Sequence, residues 1–145
     1  MSTPFRLLVP RILLEEMISH ACAENPNECC GLLAGVVEDG EGGKTGRVTR
    51  RYPLVNEAAS PKEFLSDGRS MLDADKDMRR YGVDLLAIYH SHPTSPPVPS
   101  RKDIERSYYG PGVMSLIVSL TTQPPTVQGW WLTDTDYREA EWEIV

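Results

Sequence analysis

Two histidines stand two residues apart at the end of an apolar segment. His90 and His92 follow the run 85–89, Leu-Leu-Ala-Ile-Tyr. Because alternate residues of a β-strand point to the same face, both imidazoles are expected on one side of the strand, with Ser91 on the other. Pro93 then ends the pairing, which leaves the histidines at a strand end that substrate can reach. This pattern predicts half of a zinc site.

A third ligand is required, because a catalytic zinc typically has three protein ligands and one exchangeable water. Asp103 lies one turn into a short helix that we expect over 101–108, after a cap at Ser100. Residues three apart share a helix face, so both side chains look toward the histidines. The same pair also resembles a helix capping box, in which the two side chains only satisfy backbone donors. Taken alone, the Ser100–Asp103 spacing leaves that alternative open.

The complete pattern is His-Ser-His, seven residues, Ser, two residues, Asp, and it resembles the motif of the JAMM or MPN+ (Mov34/MPN/PAD-1) zinc metalloproteases. The upstream segment 27–35, Asn-Glu-Cys-Cys-Gly-Leu-Leu-Ala-Gly, is similar to the glutamate-containing element of the bacterial branch. The resemblance implies one zinc ion per chain, bound by His90, His92 and Asp103. It also implies that Glu28 is the general acid/base and that Ser100 assists the oxyanion.

These implied roles agree with elementary chemistry. Zinc lowers the pKa of a bound water from about 15.7 to about 7 and polarises a scissile carbonyl. A glutamate such as Glu28 can take the proton of that water and deliver it to the leaving amine, which is worth roughly 100- to 10,000-fold in rate. A hydroxyl such as that of Ser100 can stabilise the oxyanion. The expected enzyme is therefore a zinc-dependent peptidase or isopeptidase.

The bacterial branch suggests a substrate class as well. We expect hydrolysis of an amide bond after the C-terminal glycine tail of a ubiquitin-like or sulfur-carrier protein, an extended segment that can add to a sheet edge. The alternative is a non-catalytic scaffold, as in family members that have lost their ligands. A further branch, associated with DNA repair, has Asn between its histidines, where this sequence has Ser91.

The elements that must position these residues follow from periodicity and turn signals. We expect a helix over 10–25, strands over 31–37 and 44–55 around a glycine turn at 40–43, a loop over 56–67, a helix over 71–81 ended by Gly82, strands over 85–89, 114–120 and 126–132, and an edge strand over 137–145. The fold class is α/β of the α+β type, with a curved, mixed, largely antiparallel sheet flanked by helices. The family resemblance implies a JAMM/MPN-like (cytidine deaminase-like) fold.

Composition bounds the remaining expectations. The chain has 145 residues, 40% of them hydrophobic, which suits one domain over 1–145. Its net charge of -6 disfavours nucleic acid, and the absence of a long apolar run predicts a cytoplasmic protein without a membrane span. Cys22, Cys29 and Cys30 are expected to be reduced. His20 receives no role, Trp130 and Trp131 are expected on opposite strand faces, and the oligomeric state stays open.

Overall fold

The computed structural model describes residues 3–63, 65–105 and 110–145. Within them, three helices accompany eight strands. In chain order the elements are β1 (Arg6–Val9), α1 (Arg11–Glu24), β2 (Cys30–Gly40), β3 (Gly43–Leu54), α2 (Gly68–Tyr81), β4 (Asp84–His92), α3 (Arg101–Glu105), β5 (Met114–Ser119), β6 (Thr126–Leu132), β7 (Tyr137–Ala140) and β8 (Trp142–Ile144). Positions 106–108 of the helix expected after Ser100 lie outside the described residues.

All eight strands belong to one sheet, in the order β7-β6-β5-β4-β2-β3-β1-β8. The pairs β1·β3, β1·β8 and β4·β5 are parallel. The pairs β2·β3, β2·β4, β5·β6 and β6·β7 are antiparallel. The expected mixed, largely antiparallel sheet with flanking helices is therefore confirmed.

The prediction of a single edge strand over 137–145 was wrong. The segment forms two strands, β7 and β8, which lie at opposite edges of the sheet although only Glu141 separates them. The sheet must therefore curl until its edges come together, and the Leu7 amide donates to the Glu141 carbonyl (3.1 Å) at this junction. Strand β1, which the sequence pattern had not predicted, lies beside β8 there.

The two faces of the sheet carry separate apolar clusters. Helix α1 covers one face through Leu14, Met17 and Ala21, which recur at helical spacing. Helix α2 covers the other face through Ala74 and Met78, and it ends at Gly82, whose φ of 64° favours glycine. None of the helices in the described ranges is long and apolar enough to cross a membrane.

Gly35 marks the closest approach of two central strands. The pairing of β2 with β3 shifts register between Ala34 and Gly35. A Cβ at Gly35 would lie 1.9 Å from the carbonyl oxygen of Arg47, which is backbone and cannot rotate away. Glycine is therefore required here for close backbone contact.

We predict that Gly35→Ala lowers the free energy of unfolding by about 2 kcal/mol, because the methyl group forces the two strands apart. Urea denaturation at equilibrium measures the change. Gly42→Ala is the matched control, since among the described residues no atom beyond its two chain neighbours lies within 4 Å of the Cβ it would add. Equal stabilities of the two variants would contradict the tight contact.

Candidate metal centre and active site

Both histidines lie at the C-terminal end of strand β4, on the same face of the sheet. His90 and His92 lie on the face that also carries Ile88, and they are only 2% and 3% exposed. His90 pairs with Cys30 of β2 on one side and with Ile117 of β5 on the other. The imidazoles are therefore fixed by strands on both sides, at the end of a buried strand.

The first turn of α3 brings Asp103 to the same point. The two histidine Nε2 atoms are 3.1 Å apart. Asp103 Oδ1 lies 3.2 Å from His90 Nε2, and Asp103 Oδ2 lies 3.1 Å from His92 Nε2. In the described part of the chain, these three residues form the group of histidine, cysteine and acidic side chains whose ligand atoms lie close enough to share an ion.

The spacing and the donor types fit a metal ion. Ligand atoms at the usual 2.0–2.1 Å from a tetrahedral zinc are about 3.3 Å from one another. The two histidine nitrogens are 3.1 Å apart, close to this value, and each lies 3.1 to 3.2 Å from a different oxygen of Asp103. Two imidazole nitrogens and one carboxylate are also a donor set typical of catalytic sites that keep one position open. The cluster is therefore compatible with a bound metal.

The proline-rich loop between β4 and α3 orients His92. Three successive backbone carbonyls of this loop each lie within hydrogen-bond distance of a side-chain atom. The Ser119 hydroxyl donates to Ser95 (2.7 Å), His92 Nδ1 lies 2.8 Å from the Pro96 oxygen, and Trp130 Nε1 donates to Pro97 (2.8 Å). When Nδ1 donates to Pro96, the Nε2 lone pair of His92 faces the cluster.

The two tryptophans of β6 lie on opposite faces, as expected. Trp131 is 3% exposed and belongs to the apolar core, where it meets Phe5 edge to face. Trp130 lies on the other face, beside the proline-rich loop and Tyr137. Sequence reasoning missed its hydrogen bond to that loop, because nothing in a β-strand pattern indicates which carbonyl an indole will reach.

The capping box is present, and its Asp103 also belongs to the cluster with His90 and His92. The Asp103 amide donates to Ser100 Oγ (3.1 Å), and the Ser100 amide donates to Asp103 Oδ2 (2.8 Å). The two interpretations of this pair are therefore compatible. A serine hydroxyl has a proton to donate besides its lone pairs, so the cap leaves Ser100 chemically able to act as a donor.

Asp103 and His92 stabilise each other's charged forms. Burial disfavours the carboxylate of Asp103, but the two imidazoles and the Ser100 amide outweigh burial, and its pKa lies well below the usual range. Burial likewise disfavours a charged His92, but hydrogen bonds to Asp103 and to the Pro96 carbonyl raise its pKa. Asp103 is therefore ionised, as a ligand must be.

Glu28 lies two residues before the start of β2 and is only 3% exposed. Among the described residues, no hydrogen-bond partner reaches its Oε1 atom. Burial raises the pKa of Glu28 to about 8; His92 lowers it, and the charge of Asp103 raises it further. The charges of His92 and Asp103 thus act on its carboxyl. A buried carboxyl without a partner is costly and is typical of functional sites.

The remaining sequence expectations concern residues away from the cluster. His20 lies on the opposite face of the sheet, where its Nδ1 is 2.8 Å from the Tyr89 hydroxyl. Cys22, Cys29 and Cys30 are free thiols, the first exposed and the other two buried. Ser91 points away from the histidines, and its Oγ accepts the Cys29 amide (2.8 Å), a contact that the sequence did not indicate.

Comparison with known proteins agrees with this geometry. A profile of the Prok-JAB family, the prokaryotic homologs of the JAB domain, matches residues 10–133. The chain belongs to this family. The resemblance to the JAMM/MPN+ proteins is thereby confirmed. A solution structure of a protein from Desulfitobacterium hafniense has 36% sequence identity and a TM-score of 0.80, with 96% of this chain and 92% of that chain covered.

Two relatives have named activities. A probable TtuB-protein conjugate cleaving protease of Thermus thermophilus is 44% identical over 102 residues, which cover 70% of this chain and 63% of that protein. A desampylase of Haloferax volcanii is 34% identical over 122 residues, which cover 81% of this chain and 83% of that protein. The chain thus spans a little under two thirds of the Thermus protein.

The titration of Glu28 predicts a pH-dependent stability difference in metal-free protein. Folding raises the pKa of this carboxyl from 4.5 to about 8, so the folded chain holds a proton that the unfolded chain releases, and stability falls as pH rises through that window. Glu28→Gln removes this loss. Thermal and urea unfolding with chelator should show the variant more stable at pH 8.5, on the order of 3 kcal/mol, and nearly equal to wild type at pH 5.

Glu41→Gln, in the exposed turn between β2 and β3, is the matched control and should show no such trend. A stability difference for Glu28→Gln that does not vary with pH would mean that this carboxyl is not the buried titrating group.

Proposed function

We propose that the protein is a zinc-dependent metallopeptidase or isopeptidase that hydrolyses the amide bond after the C-terminal glycine of a ubiquitin-like or sulfur-carrier protein. The observation that carries the proposal is the buried carboxyl of Glu28, whose Oε1 has no hydrogen-bond partner among the described residues and whose pKa responds to His92 and Asp103 of the cluster. A metal-ligand cluster with an adjacent proton acceptor is the minimum equipment for metal-assisted hydrolysis.

Zinc suits the ligands in number and type. His90 and His92 would supply two imidazole nitrogens and Asp103 one carboxylate, all three brought within ligand distance of a shared point. When bound, a zinc ion lowers the pKa of the attacking water and polarises the scissile carbonyl. The Pro96 carbonyl, by holding His92 Nδ1, would keep the tautomer that presents Nε2 to the metal.

Glu28 would carry the proton through the reaction. Burial raises the pKa of Glu28, and a cation bound at the cluster would lower it again, so the ionised carboxyl could accept a proton from the attacking water and release it to the leaving amine. The hydroxyl of Ser100 would donate to the oxyanion as it develops, an interaction worth on the order of 100- to 1,000-fold in turnover. In this assignment, Ser100 also continues to cap α3.

The substrate class is supported by the relatives. One is named for cleaving TtuB-protein conjugates and another as a desampylase. A third, from Mycobacterium tuberculosis, is a CysO-cysteine peptidase, 32% identical over 103 residues that cover 71% of this chain and 66% of that protein. The first name is that of a conjugate-cleaving protease and the third that of a peptidase. We propose the same reaction class here, in a single domain over 1–145 that acts in the cytoplasm and uses no nucleic acid.

The scaffold alternative is less favoured. A protein that only binds partners gains nothing from an ionised aspartate and two imidazoles packed within 3.2 Å in a buried site. It gains nothing either from the energetic cost of burying Glu28 Oε1, which has no hydrogen-bond partner in the part of the chain that the structure describes.

The metal assignment predicts close to one zinc per chain in purified protein. His90→Ala, His92→Ala or Asp103→Ala should each greatly reduce the zinc content, because two ligands bind the ion far more weakly than three. Elemental analysis after gel filtration measures this content. His20→Ala, on the opposite face of the sheet, is the control and should retain zinc. Wild-type protein that takes up no zinc when it is supplied would contradict the assignment.

The reaction is tested by incubating the enzyme with carrier proteins extended by one or several residues beyond the terminal glycine, and by following intact mass. We expect cleavage directly after the glycine. Chelation should abolish it, and Glu28→Gln should lower turnover by at least about 100-fold while zinc stays bound, since the proton acceptor is gone. Glu41→Gln should behave as wild type. If zinc-loaded enzyme leaves every conjugate intact, the proposed substrate class is wrong.

A further inference from the structure

The side chain of Asn56 uses its full hydrogen-bonding capacity in the loop between β3 and α2. Its Nδ2 donates to the carbonyls of Glu28 (2.9 Å) and Glu63 (3.1 Å). Its Oδ1 accepts the amides of Ala58 (3.1 Å) and Leu65 (2.9 Å). A carboxamide has two protons to donate and two lone pairs, so every position is occupied. Only one orientation of the amide satisfies two carbonyls and two amides at once.

Both backbone polar groups of Glu28 are bound by this loop. The Glu28 carbonyl accepts from Asn56, and the Glu28 amide donates to the Ser60 carbonyl (2.8 Å). The regular pairing of β2 begins only at Cys30, which lies opposite His90. Glu28 is thus placed by the loop between β3 and α2 rather than by the sheet ladder.

The loop is itself closed at its base. Asn56 forms an isolated bridge with Ser66, and the Asp67 amide donates to the Val55 carbonyl (2.9 Å). At its far side, Glu63 forms an ion pair with Lys102, the neighbour of Asp103. The loop therefore connects the backbone of Glu28 with the helix that carries Asp103. The side chain of Asn56 hydrogen-bonds both to Glu28 and to residues of the loop.

On the other side, Ser91 holds the residue that follows Glu28. The Cys29 amide donates to Ser91 Oγ (2.8 Å), and the Ser91 amide donates to the Cys29 carbonyl (3.2 Å). Because Ser91 lies between the two histidines, this contact ties the segment after Glu28 to the metal-binding strand. Cys29 is therefore fixed to β4, and the backbone of Glu28 itself is held by its contacts with Asn56 and Ser60.

We propose that Asn56 is a positioning residue for the reaction, which holds the backbone of Glu28 so that its carboxyl stays within reach of the attacking water. The inference rests on the proposed function, in which Glu28 transfers the proton. A general base works only within hydrogen-bond reach of its proton, and a displacement of about 1 Å can cost 100-fold in rate. Asn56 acts through the backbone of Glu28 and is not assigned contact with substrate or metal.

The sharpest variant is Asn56→Asp, which keeps the size and both acceptor positions but removes both donors, so that a carboxylate oxygen faces two carbonyls. We expect kcat for the extended carrier protein to fall 10- to 100-fold, with KM within about twofold and the zinc content unchanged. Asn27→Asp places the same new charge beside Glu28 without removing the hydrogen bond to its carbonyl. It should keep at least half of the wild-type kcat.

A double-mutant cycle with Glu28→Gln separates positioning from general stability. If Asn56 acts through Glu28, Asn56→Asp should cause little further loss in the slow Glu28→Gln enzyme. An equal proportional loss in both backgrounds, or wild-type kcat in Asn56→Asp alone, would overturn the proposal. Asn56→Ala, which adds no charge, gives the same comparison if the aspartate variant does not fold.

Amide hydrogen exchange gives a readout that does not depend on activity. In Asn56→Asp or Asn56→Ala, the Glu28 amide should exchange at least about tenfold faster, because its partner Ser60 lies in the loop that Asn56 closes, while amides in the centre of β4 should be unchanged. Unchanged exchange at Glu28 would overturn the positioning role. Faster exchange together with an enzyme that cleaves no carrier conjugate would instead reject the proposed function and leave the contact intact.

Discussion

The close contact between one carboxylate and two imidazoles is the interaction on which the site depends. Asp103 reaches within 3.2 Å of both His90 and His92, and all three side chains are nearly excluded from solvent. A charge is tolerated in such a place only when it is paired and hydrogen-bonded. The surrounding structure meets this condition by bringing the first turn of α3 against the end of β4, and the proline-rich loop between them is held by a side chain at each of three consecutive carbonyls.

The sequence predicted the parts of the site that follow from local periodicity. His90 and His92 share a face because a strand has a period of two, and Asp103 follows from the helical spacing after Ser100. Glu28 was predicted only through the resemblance to a family motif, since nothing in its immediate neighbourhood sets it apart from a solvated glutamate. The four hydrogen bonds of the Asn56 side chain were not predicted, because their partners are spread from residue 28 to residue 65.

In the fold, too, elements with a local sequence pattern were predicted, whereas elements that depend on pairing between distant segments were not. Helices α1 and α2 and the hairpin of β2 and β3 were predicted because their patterns lie within short stretches of chain. Strand β1 and the division of 137–145 into β7 and β8 were not, because both depend on pairing across the whole length of the chain. Four residues of β1 become a strand only because β3 and β8 flank them in parallel, and parallel pairing between distant segments leaves no local signal.

The surroundings of Asp103 and Glu28 shift the pKa values of the two carboxyls in opposite directions. Two imidazoles and a backbone amide outweigh burial at Asp103 and keep its pKa low, whereas burial dominates at Glu28 and raises its pKa to about 8. Such a separation allows one carboxyl to remain an ionised ligand while the other exchanges a proton near neutral pH. Both oxygens of Asp103 lie within 3.2 Å of an imidazole nitrogen, whereas Glu28 precedes the sheet ladder and is bound through its backbone by Asn56 and Ser60; this difference in position accounts for the difference in pKa.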